Sequence, residues 1–161
     1  MNIVLLEPEI PHNTGAIGRT CVATGSVLHL IKPLGFLVTE KAIRRTGLDY
    51  WADLDVRYYD NFEHFISKNS GEMFFATTKA LHNYSDVKYN TDSYIIFGKE
   101  SAGLPEELLV KNKDRCIRIP MLENTRSLNL SVSAGIILFE ALRQNSFVGL
   151  KEKGELHKGQ W

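Results

Sequence analysis

Three short stretches of this chain gather the side chains that could do chemistry. The first, Asn13-Thr-Gly-Ala-Ile-Gly-Arg19, sets an amide, a hydroxyl and a guanidinium around two glycines, Gly15 and Gly18, that would let a ligand or another backbone approach closely. The second, Phe97-Gly-Lys-Glu-Ser-Ala-Gly-Leu-Pro105, places Glu100 between Gly98, suited to a tight turn, and Gly103, suited to a positive φ. The third runs from Glu123 to Asn129 and is almost entirely hydrogen-bonding side chains, including Arg126, Ser127 and Asn129. Several familiar chemistries do not fit. A dinucleotide fingerprint needs G-x-G-x-x-G after the first strand and an acid ending the second, but here the glycines are misplaced and the second strand ends in Lys32-Pro33. A phosphate loop would end in Gly-Lys-Ser or Gly-Lys-Thr, whereas Lys99 directly follows the first glycine. The five histidines show no metal-ligand spacing, and no Gly-x-Ser-x-Gly elbow occurs. Each stretch also has a plain structural explanation: a capped helix with a surface arginine, a strand-to-helix turn that leaves Glu100 unexplained, and a final helix capped by Asn129 or Ser131.

The elements that must position these residues alternate regularly. Continuous apolar runs at Ile3 to Leu6, Val27 to Ile31, Val56 to Tyr59, Met73 to Thr77, Tyr94 to Phe97 and Cys116 to Ile119 predict buried strands. Between them, helices are expected from about Gly15 to Thr24, capped by His12, Asn13 or Thr14 and ended by Gly25, over Thr39 to Thr46, over Asn61 to Lys68, and after Pro105. A last helix spans Leu130 to Arg143, with Ile136, Ile137, Leu138 and Phe139 covering every side. Alternation of this kind predicts an α/β domain with a mainly parallel sheet flanked by helices. Ligands then bind beyond the carboxyl ends of the strands, where the three stretches fall. The polar third stretch lies between a buried strand and a buried helix. Its backbone and side chains would there require a ligand or a partner chain to satisfy them.

Composition narrows the class. At 161 residues, with 43% hydrophobic and 24% charged residues, one domain over 1–150 and a charged tail over 151–161 is the simplest division. No apolar run approaches the roughly 20 residues of a membrane span, and the N-terminus reads directly into a strand rather than a signal peptide. Cys21 and Cys116 are expected to be buried thiols in a reducing cytoplasm. Nineteen basic and 19 acidic residues give no general positive sheath, which leaves a local basic patch as the route to nucleic acid.

Taken in order, the three stretches resemble the three motifs of the SPOUT-class methyltransferases, and most closely the small 2′-O-ribose methyltransferases of the tRNA wobble nucleotide. Glu7-Pro-Glu-Ile-Pro-His-Asn-Thr-Gly-Ala-Ile-Gly-Arg19 is similar to the first motif, Phe97 to Pro105 to the second, and Ile117-Arg-Ile-Pro-Met121 with Ser127-Leu-Asn-Leu-Ser131 to the third. Leu30 to Phe36 and Arg44 to Tyr50 also follow this subgroup, and the similarity reaches about Gly149. Lys99 stands where some members have proline. The resemblance implies a deep C-terminal trefoil knot, a cytoplasmic homodimer, tRNA as substrate, and S-adenosyl-L-methionine as methyl donor with S-adenosyl-L-homocysteine as product and no metal. It implies cofactor contacts at Ala76, Thr77, Gly98, Ile119, Met121, Ser127 and Leu128, and catalytic-site roles for Asn13, Arg19, Glu100, Ser127 and Asn129, with Arg19 completing the site of the other subunit. Candidate RNA contacts are Lys41, Arg44, Arg45, Lys79, Lys88 and Arg126. A ribosomal-RNA 2′-O-methyltransferase of the same superfamily and a non-catalytic RNA-binding protein of the same fold are the alternatives.

Overall fold

The computed structural model describes residues 1–36 and 49–159. Seven strands form one sheet: β1 (Asn2–Leu6), β2 (Val27–Ile31), β3 (Val56–Tyr59), β4 (Met73–Ala76), β5 (His82–Asn83), β6 (Tyr94–Phe97) and β7 (Cys116–Arg118). Their order is β3-β2-β1-β6-β4-β7-β5, and every pairing is parallel. The strands expected at Val27–Ile31, Val56–Tyr59 and Tyr94–Phe97 form with those bounds. The two-residue β5 was not anticipated; it carries no apolar run and exists because it pairs with β7 at the sheet edge.

Helices cover both faces. Among the described residues the α-helices are α1 (Pro11–Thr24), α2 (Phe62–Lys68), α3 (Glu106–Lys111) and α4 (Leu130–Gln144). Period-two alternation divides the strand side chains. Ile3, Leu5, Leu28, Leu30, Ile95, Phe97 and Ile117 pack with Ile17 and Cys21 of α1 and Ile137, Leu138 and Ala141 of α4. Val4, Leu6, Ile31, Phe75, Ile96 and Cys116 pack on the opposite face with Phe65 of α2 and Leu109 of α3. Both cysteines are buried free thiols, and burial pushes the Cys21 thiol up to about 12. The helix expected over Thr39 to Thr46 lies outside the described residues. No helix among the described residues is long and apolar enough to cross a membrane.

Two local readings change. Helix α1 begins at Pro11, four residues before Gly15, and Ile10 at its N-cap offers no side-chain bond. Proline at the first helical position costs no hydrogen bond, because that N–H has no partner inside a helix. Asn13 and Thr14 therefore sit inside the first turn, both buried. The second change concerns the last helix. Ile137 and Leu138 belong to this chain's own core, while Phe139 and Val132 remain 48% and 50% exposed. The spacing 132, 136, 139 leaves one apolar stripe of α4 facing outward rather than four covered sides.

Candidate active site

Helix α1 needs an N-terminal cap that its own residues do not supply, and the second sequence stretch provides it. Glu100 Oε2 accepts from the Glu9 backbone N–H at 2.8 Å, and its Oε1 accepts from the Ile10 N–H at 3.3 Å and from Asn13 Nδ2 at 2.9 Å. A carboxylate beside a helix N-terminus meets both free donors and the positive end of the helix dipole. Glu100, unexplained as a turn residue, is a cap donated in trans by sequence but local in space. Asn13 passes the connection on: its Oδ1 accepts from Asn129 Nδ2 at 3.0 Å. Asn129 Oδ1 in turn accepts from the N–H groups of Ser131 and Val132, capping α4. One hydrogen-bonded chain thus ties the first, second and third stretches together.

Further contacts lock the first stretch onto the second. Glu9 accepts from the Ser101 N–H at 2.9 Å and the Ser101 hydroxyl at 2.8 Å, and these donors hold its carboxyl below the usual range. Lys99 Nζ pairs with Glu7 Oε2 at 3.0 Å, which raises the lysine's pKa. The turn itself requires glycine. A Cβ on Gly98 would lie 2.1 Å from the Gly103 carbonyl carbon, and Gly103 adopts φ 72° while its N–H bonds Lys99 O at 2.8 Å.

These loops enclose a cavity of about 440 Å³ beyond the carboxyl ends of β4, β6 and β7. All seven residues expected to contact the cofactor line it: Ala76, Thr77, Gly98, Ile119, Met121, Ser127 and Leu128. Asn13, Glu100 and Asn129 line it too, as do Lys79 and Arg126. The size suits one nucleoside-bearing ligand. Ile119, Met121, Leu128 and Ile137 offer apolar walls for a flat ring, and Thr77, Ser127 and Asn13 offer polar groups for a ribose. The residue set fits S-adenosylmethionine.

Other expected residues lie elsewhere. Arg19 is exposed on α1 and does not line this cavity. Lys88 is exposed and likewise outside it. Lys41, Arg44 and Arg45 lie outside the described residues. The stretch 122–129 is exposed along its whole length in the single chain rather than held between two buried elements. Sequence reasoning missed Ile10, Ser101 and Arg118 in the lining. Arg118 sits within the quoted Ile-Arg-Ile-Pro-Met motif, but a polar residue between two apolar ones in a strand reads as an outward-facing position and gave no signal.

A profile of the SpoU rRNA Methylase family matches residues 1–139. The chain belongs to that family. A relative from Geobacillus stearothermophilus, provisionally named a tRNA (cytidine(34)-2′-O)-methyltransferase, is 50% identical over 154 residues, covering 93% of this chain and 98% of its own. A solved structure described as giving insight into 2-OH methylation of C/U34 on tRNA superposes with a TM-score of 0.84 at 39% identity, covering 90% of this chain and 95% of that one. An AdoMet-bound rRNA methyltransferase from Sinorhizobium meliloti superposes with a TM-score of 0.75 at 28% identity, covering 88% of this chain but 55% of its own. The SpoU methylase is thus an α/β methyltransferase built on one all-parallel sheet.

Proposed function

We propose that this SpoU methylase transfers a methyl group from S-adenosylmethionine to the ribose 2′-hydroxyl of nucleotide 34, the wobble position of tRNA, at a cytidine or modified uridine. The observation that carries the reading is the convergence of three separated sequence motifs on one cavity through the Glu100–Asn13–Asn129 hydrogen-bond chain. Relatives named for that reaction align along nearly their whole length with this chain.

S-adenosylmethionine, when bound, supplies an electrophilic methyl carried on a positively charged sulfur. The chain's own work is to hold the acceptor hydroxyl in line, stabilise the oxygen as its proton passes to solvent water, and position the nucleotide. Ala76, Thr77, Gly98, Ile119, Met121, Ser127 and Leu128 would hold the cofactor, and Ser127 with Asn129 would face the nucleotide. Arg19 carries the remaining charge. An arginine donates hydrogen bonds and is protonated throughout the physiological range, so its fitting role is to orient the adjacent phosphate and stabilise the developing oxyanion rather than to take the proton.

Arg19 reaches such a site from a second copy of the chain. The outward apolar stripe of α4, formed by the exposed Val132 and Phe139 with the half-buried Ile136, lies on the layer that α1 shares, which supports pairing of two copies through this face. Lys79 and Arg126 at the cavity mouth and the exposed Lys88 are the proposed phosphate contacts, together with Lys41, Arg44 and Arg45, which fall outside the described residues. The same reading includes the trefoil knot near the third motif and, with tRNA as substrate, a cytoplasmic location. The test is methyl transfer to tRNA by Arg19→Ala and Arg19→Lys with cofactor binding measured separately. Loss of turnover with cofactor affinity intact is expected; near-normal turnover in both variants would remove Arg19 from the mechanism.

A further inference from the structure

Among the described residues, four cationic ones line the cavity: Lys79, Lys99, Arg118 and Arg126. Two are compensated, Lys99 by Glu7 and Lys79 by Glu106. The side chains of Arg118 and Arg126 make no hydrogen bond or ion pair among the described residues. The acid in the lining, Glu100, pairs with neither arginine; its oxygens accept from Glu9, Ile10 and Asn13.

The two arginines differ in how they are held. Arg126 is exposed in the 122–129 stretch at the mouth. Arg118 is half-buried at the last position of β7, and its backbone is fixed from both sides: the Thr77 N–H donates to Ile117 O at 2.9 Å, and the Tyr84 N–H donates to Arg118 O at 2.8 Å. Its neighbours across the sheet are the β4 end, where Ala76 pairs with Ile117, and Asn83 of β5. The base of this side chain is thus firmly placed, and its half-buried guanidinium has no counter-ion among the described residues, which leaves its planar fork available to an anionic ligand.

We propose that Arg118 is the anchor for the α-carboxylate of the cofactor's amino-acid tail. The proposal rests on the reading of this cavity as the S-adenosylmethionine site. A planar guanidinium fork matches a carboxylate with two parallel hydrogen bonds. A small ligand's carboxylate reaches the inner wall beside Thr77, whereas a phosphate carried on a polynucleotide meets the mouth first, where Arg126 stands. The assignment divides the two uncompensated charges: Arg118 for the cofactor, Arg126 for the RNA.

Isothermal titration of the full chain with S-adenosylhomocysteine and with 5′-methylthioadenosine, which lacks the amino-acid tail, separates the possibilities. Arg118→Gln should weaken S-adenosylhomocysteine about tenfold or more, as expected for loss of a charge-assisted pair, and leave methylthioadenosine within about twofold. Arg118→Lys, which keeps the charge but not the fork, should fall between. Retained methylthioadenosine binding also shows that the variant is folded. Equal losses for both ligands, or none for S-adenosylhomocysteine, overturn the proposal. So does a loss confined to tRNA affinity measured without cofactor, which would make Arg118 a phosphate contact. Wild-type protein that binds neither nucleoside would overturn the cofactor-site reading itself, an outcome distinct from a binding wild type with an indifferent Arg118→Gln.

Discussion

Replacing Glu100 by glutamine tests the joint on which the site depends. The carboxylate receives two backbone N–H donors and the Asn13 amide at the start of α1. Hydrogen bonds to a charged group contribute about 1.5–3 kcal/mol each, so three set a ceiling of roughly 4–9 kcal/mol. The true loss is much smaller. Glu100 is only half-buried, water can reach the freed donors, and glutamine keeps one acceptor oxygen. We expect about 2 kcal/mol, which for a domain of this length is a drop in Tm of roughly 4–8 °C. Activity should fall further than stability, by about a hundredfold, because Asn13 loses its orientation and with it the bond to Asn129. Scanning calorimetry and single-turnover methyl transfer measure the two effects. A double-mutant cycle with Asn13→Ala should show a coupling of about 1 kcal/mol or more. Unchanged Tm and turnover in Glu100→Gln, or strict additivity with Asn13→Ala, would refute the argument that Glu100 caps α1 and steers Asn13.

Three further outcomes follow from the same structure. His29 is fully buried, bonded to the Tyr59 hydroxyl at 2.9 Å and to Asn2 at 3.1 Å, packed against Phe65 and Tyr94, with Arg57 and Asp55 nearby; burial lowers its pKa to about 4. The unfolded chain therefore binds a proton that the folded one refuses, so this contribution is intact above pH 6.5 and is lost as pH falls toward 4. Denaturant unfolding should show about 2 kcal/mol less stability at pH 5 than at pH 7 from this group, a difference absent in His29→Gln. Gly98→Ala would force a Cβ to within 2.1 Å of the Gly103 carbonyl carbon; a loss of about 3 kcal/mol with abolished nucleoside binding is expected, and a stable, binding-competent variant would show that the turn can move. Phe139→Arg, on the exposed stripe of α4, should yield folded monomers without methyl transfer by sedimentation and assay, whereas an active dimer would count against Arg19 acting across the interface.

The choice of Phe139 shows where sequence and structure part. Read from the sequence, Ile136, Ile137, Leu138 and Phe139 cover every side of the last helix, and nothing in their order tells which of them face the chain's own core. In the fold Ile137 is 1% exposed and lines the cavity, so a charge there would break the core before it tested an interface. Which side of an apolar helix faces its own sheet depends on where the preceding strand places it, and that is a tertiary fact. Strands were easier to read. Val27–Ile31 and Tyr94–Phe97 are continuous apolar runs between turn residues, and a parallel sheet buried on both faces demands that pattern. The start of α1 was misread because Asn13 and Thr14 are good capping residues, and the actual cap, Glu100, is 87 residues from Asn13 in sequence. The cavity lining was legible through the motifs as a set, since seven expected cofactor positions converge on it. Arg118 was not, because its significance lies in the absence of a counter-charge, which no spacing encodes.

The most direct test of the central claim is to incubate the purified protein with unmodified and native tRNA and S-adenosylmethionine, then map ribose methylation nucleotide by nucleotide. The account predicts one new 2′-O-methyl group, at position 34, dependent on Arg19 and Glu100. Methylation at another position or on a base, or none under conditions where the protein binds both tRNA and S-adenosylhomocysteine, would contradict it.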